Sequence, residues 1–388
     1  MDTGNKAMIR DMNTNFILKT IIEGKALSRA DIAKQSGLTK ATVSAIVRLL
    51  LDRGLIAETG IAMTDKGRKP IILNFCPDAG CILAFDIGRT KITVLAANLA
   101  GQSINTFVCP TPDSREPLLP LLENIIETMS KALPETTYGL VSICVGIHGI
   151  VNDNYIRFTP YYPYSDIDIK TPLESRFHIP VYVENEANLS VIAEQCYSFD
   201  CGSLVAMSIH SGIGLGIILD NRFYTGHNGC AGEFGHSTVE LNGRPCPCGN
   251  RGCLEQYASE LAILKDYAAL KHADTLPDIG TLIKNYEAGE PDAVAVINRF
   301  TDYIAVGVNN ILGTLNPELI VINSNLTENI PALADEIVAK LPKHVRPLCH
   351  LKISELGSNS VLLGGVCLAM KKFLGFTDIR LERYREKD

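Results

Sequence analysis

His236, Cys246, Cys248 and Cys253 constrain this chain more tightly than any other feature of its sequence. The last three fall in the run Cys246-Pro247-Cys248-Gly249-Asn250-Arg251-Gly252-Cys253. Three thiolates and one imidazole are the donor set of a closed tetrahedral zinc site. Pro245, Pro247, Gly249 and Gly252 keep the loop tight enough to turn these donors toward one point. Four protein ligands leave no position for water, so the expected Zn2+ is structural, not catalytic. The same loop fixes the backbone around two carboxylates, Glu233 just before His236 and Glu255 just after Cys253. Carboxylates that accept hydrogen bonds from neighbouring hydroxyls are a common means of holding a sugar.

Around this loop, from Cys81 onward, apolar runs of strand length alternate with helical segments, the pattern of an α/β architecture. Cys81–Phe85, Ile92–Ala97, Val141–Ile147, Val181–Val183, Leu204–Ser208, Ile217–Leu219 and Leu319–Ile322 read as strands. A glycine-bearing turn follows a strand twice, at 86–91 (Asp-Ile-Gly-Arg-Thr-Lys) and at 211–216 (Ser-Gly-Ile-Gly-Leu-Gly). The repeat predicts two related lobes with a cleft between them, and both turns are candidates for cradling phosphate. Glu184-Asn185-Glu186-Ala187-Asn188 sits at the carboxyl end of a strand, where α/β proteins place ligands. The nine other cysteines lie mostly in or beside apolar segments and read as small buried hydrophobes.

The first 75 residues follow a different grammar. They carry 12 Lys and Arg against 7 Asp and Glu, a local charge of +5 within a chain of net charge −7. Phe16, Ile17, Ile21 and Ile22 recur at helical spacing before Gly24. Ser28 with Asp31 forms a capping box for a second helix, which ends at the turn Ser36-Gly37-Leu38. Thr39 caps a third helix with Val43, Ile46, Val47 and Leu50 as its buried stripe. Lys40, Thr42, Ser44 and Arg48 occupy the opposite face, with no bulky apolar group to bar entry into a major groove. Two short strands, Leu55–Glu58 and Ile71–Leu73, flank a basic loop in which Arg68 and Lys69 can reach phosphate or a narrow minor groove. The expectation is a winged helix-turn-helix over residues 1–75 that binds operator DNA. Residues 76–388 then form a body of two α/β lobes, approximately 80–190 with the C-terminal helix and 191–370.

No apolar run is long enough to span a membrane, and the charged first thirty residues contain no signal-peptide core. A cytoplasmic protein that meets no membrane is expected.

The site residues together resemble the ROK family of bacterial repressors, open reading frames of unknown role and sugar kinases. Gly232-Glu233-Phe234-Gly235-His236, the cysteine loop through Glu255, and Gly212-Ile213-Gly214-Leu215-Gly216 carry the resemblance. The N-terminal winged helix groups the chain with the repressors, and residues 184–188 look like the xylose-repressor branch. The resemblance implies an actin-like/hexokinase-like body that binds sugar in its cleft, dimerises and controls DNA affinity. It implies sugar contacts for Asn185, Glu233, His236 and Glu255. Family kinases have Asp where this chain has Glu186, the base position, and a second Gly where it has Arg89. An extra methylene displaces a carboxylate by about 1 Å, which can cost about 100-fold in rate. A side chain at 89 would also crowd a phosphate approaching the backbone. Where kinases have Pro-Gly, this chain reads His148-Gly149. Their tryptophan-bearing sugar loop is absent, and Tyr161, Tyr162 and Tyr164 stand near, available to stack on a sugar. Glu186, His148 and Gly149 complete the candidate sugar set.

These readings converge on a sugar-responsive repressor, a homodimer with a tetramer as the alternative, whose effector is a monosaccharide such as the pentose xylose. The competing reading is an ATP-dependent sugar kinase with an accessory DNA-binding head. A third is a sugar-blind DNA-binding protein whose body only dimerises.

Overall fold

The computed structural model describes residues 3–24, 27–61, 70–160 and 162–382. Three helices open the chain: α1 (Thr3–Glu23), α2 (Arg29–Ser36) and α3 (Lys40–Asp52). The Ser28 amide donates to Asp31 Oδ2 at 2.9 Å while the Asp31 amide donates to Ser28 Oγ at 3.3 Å. This capping box starts α2, and Gly37, at φ +68°, ends it. Thr39 Oγ1 accepts from the Thr42 amide at 3.2 Å and starts α3. Ile17, Ile21, Ile32, Val43, Ile46, Val47 and Leu50 are buried together. The first helix begins well before the expected apolar stripe. Met8, Ile9 and Met12 are exposed, so no amphipathic pattern announces that half of the helix, and Phe16, expected in the apolar stripe, is exposed as well. Strands β1 (Leu27–Ser28), β2 (Ile56–Ile61) and β3 (Ile71–Phe75) form an antiparallel sheet in the order β1-β3-β2. Arg68 and Lys69, at the tip of the expected wing, lie outside the described residues.

The body contains two five-stranded sheets. The first comprises β4 (Cys81–Ile87), β5 (Lys91–Asn98), β6 (Ser103–Pro110), β7 (Leu140–Ile147) and, beyond the small hairpin β8 (Ile150–Asn152) and β9 (Tyr155–Phe158), β10 (Val181–Asn185). The second comprises β11 (Leu204–Ile209), β12 (Ile213–Leu219), β13 (Arg222–Phe223), β14 (Leu319–Asn323) and β15 (Leu351–Ile353). Their spatial orders are β10-β7-β4-β5-β6 and β15-β14-β11-β12-β13. Taken strand by strand these are the same order, and in each sheet three parallel strands continue into antiparallel ones. The body is therefore two related lobes.

Helices α4 (Leu118–Lys131) and α5 (Lys170–Phe177) cover the outer face of the first sheet. The inner faces of both sheets share a core with α6 (Glu186–Ala193). The outer face of the second sheet is covered mainly by α7 (Glu255–Ala258), α8 (Glu260–Leu270), α9 (Ile279–Glu287) and α10 (Pro291–Thr314). Helices α11 (Asn325–Asn329) and α12 (Ala332–Lys340) complete that layer, and α13 (Ser360–Leu374) returns to join α6 between the lobes. Strand alternation sorts the faces: in β4, Ile82 and Ala84 point to the shared core while Leu83, Phe85 and Ile87 point to α4.

Glycines set how closely α6 is held. The expected second glycine turn is shorter than its sequence suggests, closing at His210–Gly212, where the His210 amide donates to the Gly212 carbonyl. Gly214 and Gly216 belong to β12. A Cβ on Gly216 would lie 2.2 Å from the Ala187 carbonyl and 2.5 Å from Val191. One on Gly364 of α13 would lie 1.9 Å from the Leu189 carbonyl. These glycines admit helix backbones, not a phosphate. Most of the nine other cysteines are buried or half-buried as expected, with Cys230 exposed. Among the described residues no helix is long and apolar enough to cross a membrane.

Gly216→Ala should therefore destabilise the protein by about 1–3 kcal/mol through forced displacement of α6. Gly313→Ala, with open space around its Cβ in α10, should be neutral or gain up to about 1 kcal/mol. Urea denaturation of the two variants checks this, and equal midpoints would refute the packing role.

Candidate sugar and metal site

The cysteine loop is built by short-range bonds. The Cys246 amide donates to the Asn250 carbonyl at 2.9 Å and the Gly249 amide to the Cys246 carbonyl at 3.0 Å. Gly252, at φ +76°, passes so close to the Glu240 carbonyl that a Cβ would fall 1.7 Å from it. His236 enters on a short 3-10 turn, Phe234–His236. The result gathers one donor atom each from His236, Cys246, Cys248 and Cys253 within 4.8 Å of one another.

Those spacings fit zinc. With Zn–S near 2.3 Å and Zn–N near 2.0–2.1 Å, a tetrahedron has S···S edges of about 3.8 Å and N···S edges of about 3.5 Å. Cys248 and Cys253 sulfurs lie 3.8 Å apart, and Cys246 Sγ lies 3.5 Å from His236 Nδ1. The ion would be held through Nδ1, and its contribution would be to lock the loop. His236 Nε2 faces the other way, 3.7 Å from Glu233 Oε2. One ring thus joins the metal cluster to the cleft. Glu255 is buried, with Oε1 accepting from Gln256 Nε2 at 3.1 Å and lying 3.5 Å from His236 Nδ1.

On the opposite wall, Asn185 ends β10 and caps α6. Its Oδ1 accepts from the Ala187 and Asn188 amides, and its Nδ2 donates to the Gly149 carbonyl at 2.8 Å. The side chain is thereby largely committed to fixing the helix start, with one amide hydrogen left over. Gly149 is required by close approach, since a Cβ would lie 2.2 Å from the Phe158 carbonyl. Glu186, the first residue of α6, is buried, and its Oε2 has no hydrogen-bond partner. Its Oε1 lies 3.8 Å from His148 Nδ1, and His148 Nε2 lies 3.3 Å from Asp86 Oδ1. Burial alone would lower the His148 pKa, but Glu186 and Asp86 overcome it and raise it to about 9. Burial, Glu186 and Glu255 push the Glu233 carboxyl up to about 7, which reflects the convergence of three carboxylates on one cleft.

Asp86 is the residue sequence reasoning missed. It was visible as the start of the first glycine turn, but only the fold brings it to His148. The tyrosines divide: Tyr162 hydroxyl accepts from the His148 amide and donates to the Ile87 carbonyl. Tyr164 is fully buried, its hydroxyl donating to Pro112, so it packs the core and cannot stack on a ligand. Tyr161 lies outside the described residues.

Each glycine turn is closed by one of its own amides, that of Gly88 in the first and that of His210 in the second. The Gly88 amide donates to the Lys91 carbonyl at 3.0 Å, beside an exposed Arg89. At the carboxyl ends of β11 and β14, Glu260 accepts from Ser324 Oγ at 3.0 Å, from the Asn325 amide at 2.7 Å and from Asn325 Nδ2 at 2.9 Å. His210 Nδ1 lies 3.9 Å away. Burial acts to raise the Glu260 pKa, but these partners hold it below the ordinary range. An internal carboxylate thus fills the polar end of the second lobe.

On the head, Thr39, Lys40, Ser44 and Arg48 are exposed along one side of α3. Thr42 is half-buried, and its hydroxyl lies 2.9 Å from that of Thr39, within the helix cap.

The ROK family model matches residues 82–372. The chain belongs to the ROK family. A winged helix-turn-helix DNA-binding model matches residues 17–57. The xylose repressor of Bacillus spizizenii is 32% identical over 96% of this chain and 99% of its own length. The DNA-binding transcriptional dual regulator NagC of Escherichia coli is 28% identical over 96% of this chain and 95% of its own. Among solved structures, a ROK transcriptional regulator, a homolog of the E. coli MLC protein, matches with TM-score 0.80 at 26% identity. That match covers 94% of this chain and 97% of the regulator. A ROK glucokinase from Streptomyces griseus, in complex with glucose and AMPPNP, matches with TM-score 0.66 at 25% identity, covering 75% of this chain and all of the kinase.

Two measurements follow. Elemental analysis of chelator-free protein should find one zinc per chain, and Cys248→Ser should lower thermal stability; metal-free protein of full stability would remove the staple. NMR should show His148 titrating near pH 9 instead of about 6.5, and lower once Glu186→Gln removes its larger charge partner. Asp86 from β4 and Tyr162 remain as its other neighbours. Because the folded value is raised, the pair's stabilisation is complete below about pH 6.5 and is lost as pH rises through about 9.

Proposed function

We propose that the protein is a DNA-binding transcriptional repressor whose operator affinity is set by a monosaccharide held in the cleft between the two lobes. The observation that carries this reading is collinearity. A winged helix-turn-helix and a ROK body lie in one chain that aligns nearly end to end with proteins named xylose repressor. Those names favour a pentose such as xylose as effector.

In this reading residues 1–75 are the DNA-binding domain and 76–388 the sugar-binding body. Lys40, Ser44 and Arg48 face the major groove, Thr39 and Thr42 fix the start of the reading helix, and Arg68 and Lys69 contact the backbone or minor groove. Glu186 Oε2 and the carboxylates of Glu233 and Glu255 accept sugar hydroxyls. His236 Nε2, His148, the spare Asn185 amide hydrogen and the Gly149 backbone complete the pocket. Structural Zn2+ holds the Glu233–Glu255 wall. A homodimer presents two heads to a two-fold operator.

The kinase alternative needs a nucleotide at the two turns. Arg89, the committed Gly88 amide and the Glu260 carboxylate all work against polyphosphate there, the last by like charge.

Fluorescence anisotropy on the cognate operator should show Ser44→Ala costing about 1–3 kcal/mol, with much less effect on random DNA. Arg48→Ala should weaken both, with a salt slope about one unit shallower if it meets one phosphate. A saturating pentose should weaken operator binding by 5–150-fold, the usual span of coupling between sites. Sugar phosphate formed from ATP and magnesium, and abolished by Glu186→Gln, would replace this reading with the kinase.

A further inference from the structure

Helix α6 does not stop at Ala193. It runs on as a π-helical turn, Glu194–Ser198, making a continuous rod of about 20 Å at 1.5 Å per residue. Its amino end is the cleft wall, Asn185 and Glu186. Its carboxyl end carries backbone carbonyls that no later helical turn satisfies. These are met from the far end of the chain. Arg380 Nη1 donates to the Gln195 carbonyl at 2.9 Å and Nη2 to the Cys201 carbonyl at 3.4 Å, while Nε donates to Asp200 at 2.9 Å. The Leu381 amide donates to the Cys196 carbonyl at 2.8 Å. A guanidinium at a helix carboxyl end is also favoured by the helix dipole.

The same tail grips the head. The Arg380 amide donates to Glu23 Oε1 at 2.9 Å, Lys19 Nζ lies 2.5 Å from Asp378 Oδ2, and Asn15 Nδ2 donates to the Gly375 carbonyl at 3.0 Å. Glu23, Lys19 and Asn15 all belong to α1. Ile379 is fully buried, and Phe373, Phe376 and Leu381 pack into a core shared by α1, α3, α6 and α13. Beside it, Tyr138 of the first lobe donates to the Arg53 carbonyl just past α3.

We infer that the segment Gly375–Glu382 is a strap that couples the sugar cleft to the DNA-reading head, with Arg380 as its positioning residue between the end of the α6 rod and α1. The rod is suited to the task because Gly216 and Gly364 seat it against β12 and α13 with no slack. A shift at Glu186 on cleft closure is carried to Gln195 and Cys196, and from there through Arg380 and Leu381 to Glu23 and Lys19. The physical warrant for such coupling is an element whose position both sites bias.

This inference rests on the repressor reading, and one experiment separates the two. Operator affinity is measured by anisotropy with and without saturating xylose, on the full chain and on Arg380→Ala. The wild type should weaken by 5–150-fold with sugar. The variant should bind xylose, and operator without sugar, within about threefold of wild type, yet lose most of the sugar-dependent change. Should Arg380→Ala fold poorly, Lys19→Met, which removes one head-side contact of the strap and leaves Arg380 in place, should reduce the coupling in the same direction. A folded variant that keeps the full sugar response overturns the strap. A wild type whose operator affinity no sugar in a pentose and hexose panel alters overturns the repressor reading itself.

Discussion

The backbone contact between Gly216 and Ala187 governs how the molecule is put together. A helix can lie this close to a strand only where side chains are missing, and Gly364 repeats the device on the other side of α6. Held between two glycine-bearing surfaces, α6 becomes part of both lobes. Its first residues form one wall of the cleft, and its last carbonyls anchor the chain terminus. The cleft, the lobe interface and the head contact therefore share one element.

The opposite wall follows a different logic. Its carboxylates, Glu233 and Glu255, flank a loop with little secondary structure, which on its own would pay heavily in entropy to hold them in place. An ion held by the four donors, which are spaced to suit one tetrahedral metal, would supply the missing rigidity. His236 belongs to both the metal set and the cleft, so the geometry of the ligand wall is inherited directly from that of the metal loop.

Much of this was legible in the sequence because it rests on local chemistry. The Ser28–Asp31 capping box, the Thr39 cap, the buried stripe of α3 and the cysteine loop each depend on residues a few positions apart. Glycine proved ambiguous. Alternating Gly212, Gly214 and Gly216 suit a phosphate turn or a strand pressed against a helix, and only the packing of α6 decides between them. Tyr164 similarly reads as a stacking aromatic until the fold buries it. Asp86 and His148 stand 62 positions apart and met only in the folded sheet, as did Glu260 with Asn325 and Arg380 with Gln195. The amino-terminal half of α1 was not legible because its apolar residues face outward.

The Glu260 network has a consequence for the second lobe as a whole. The loops after β11 and β14 still present hydrogen-bond donors aimed at a negative charge, but the charge is supplied by the chain itself. The second lobe carries, in effect, its own permanent anion. The donors at the strand ends of this lobe thus need no outside anion to be satisfied, and their arrangement is set by the chain alone.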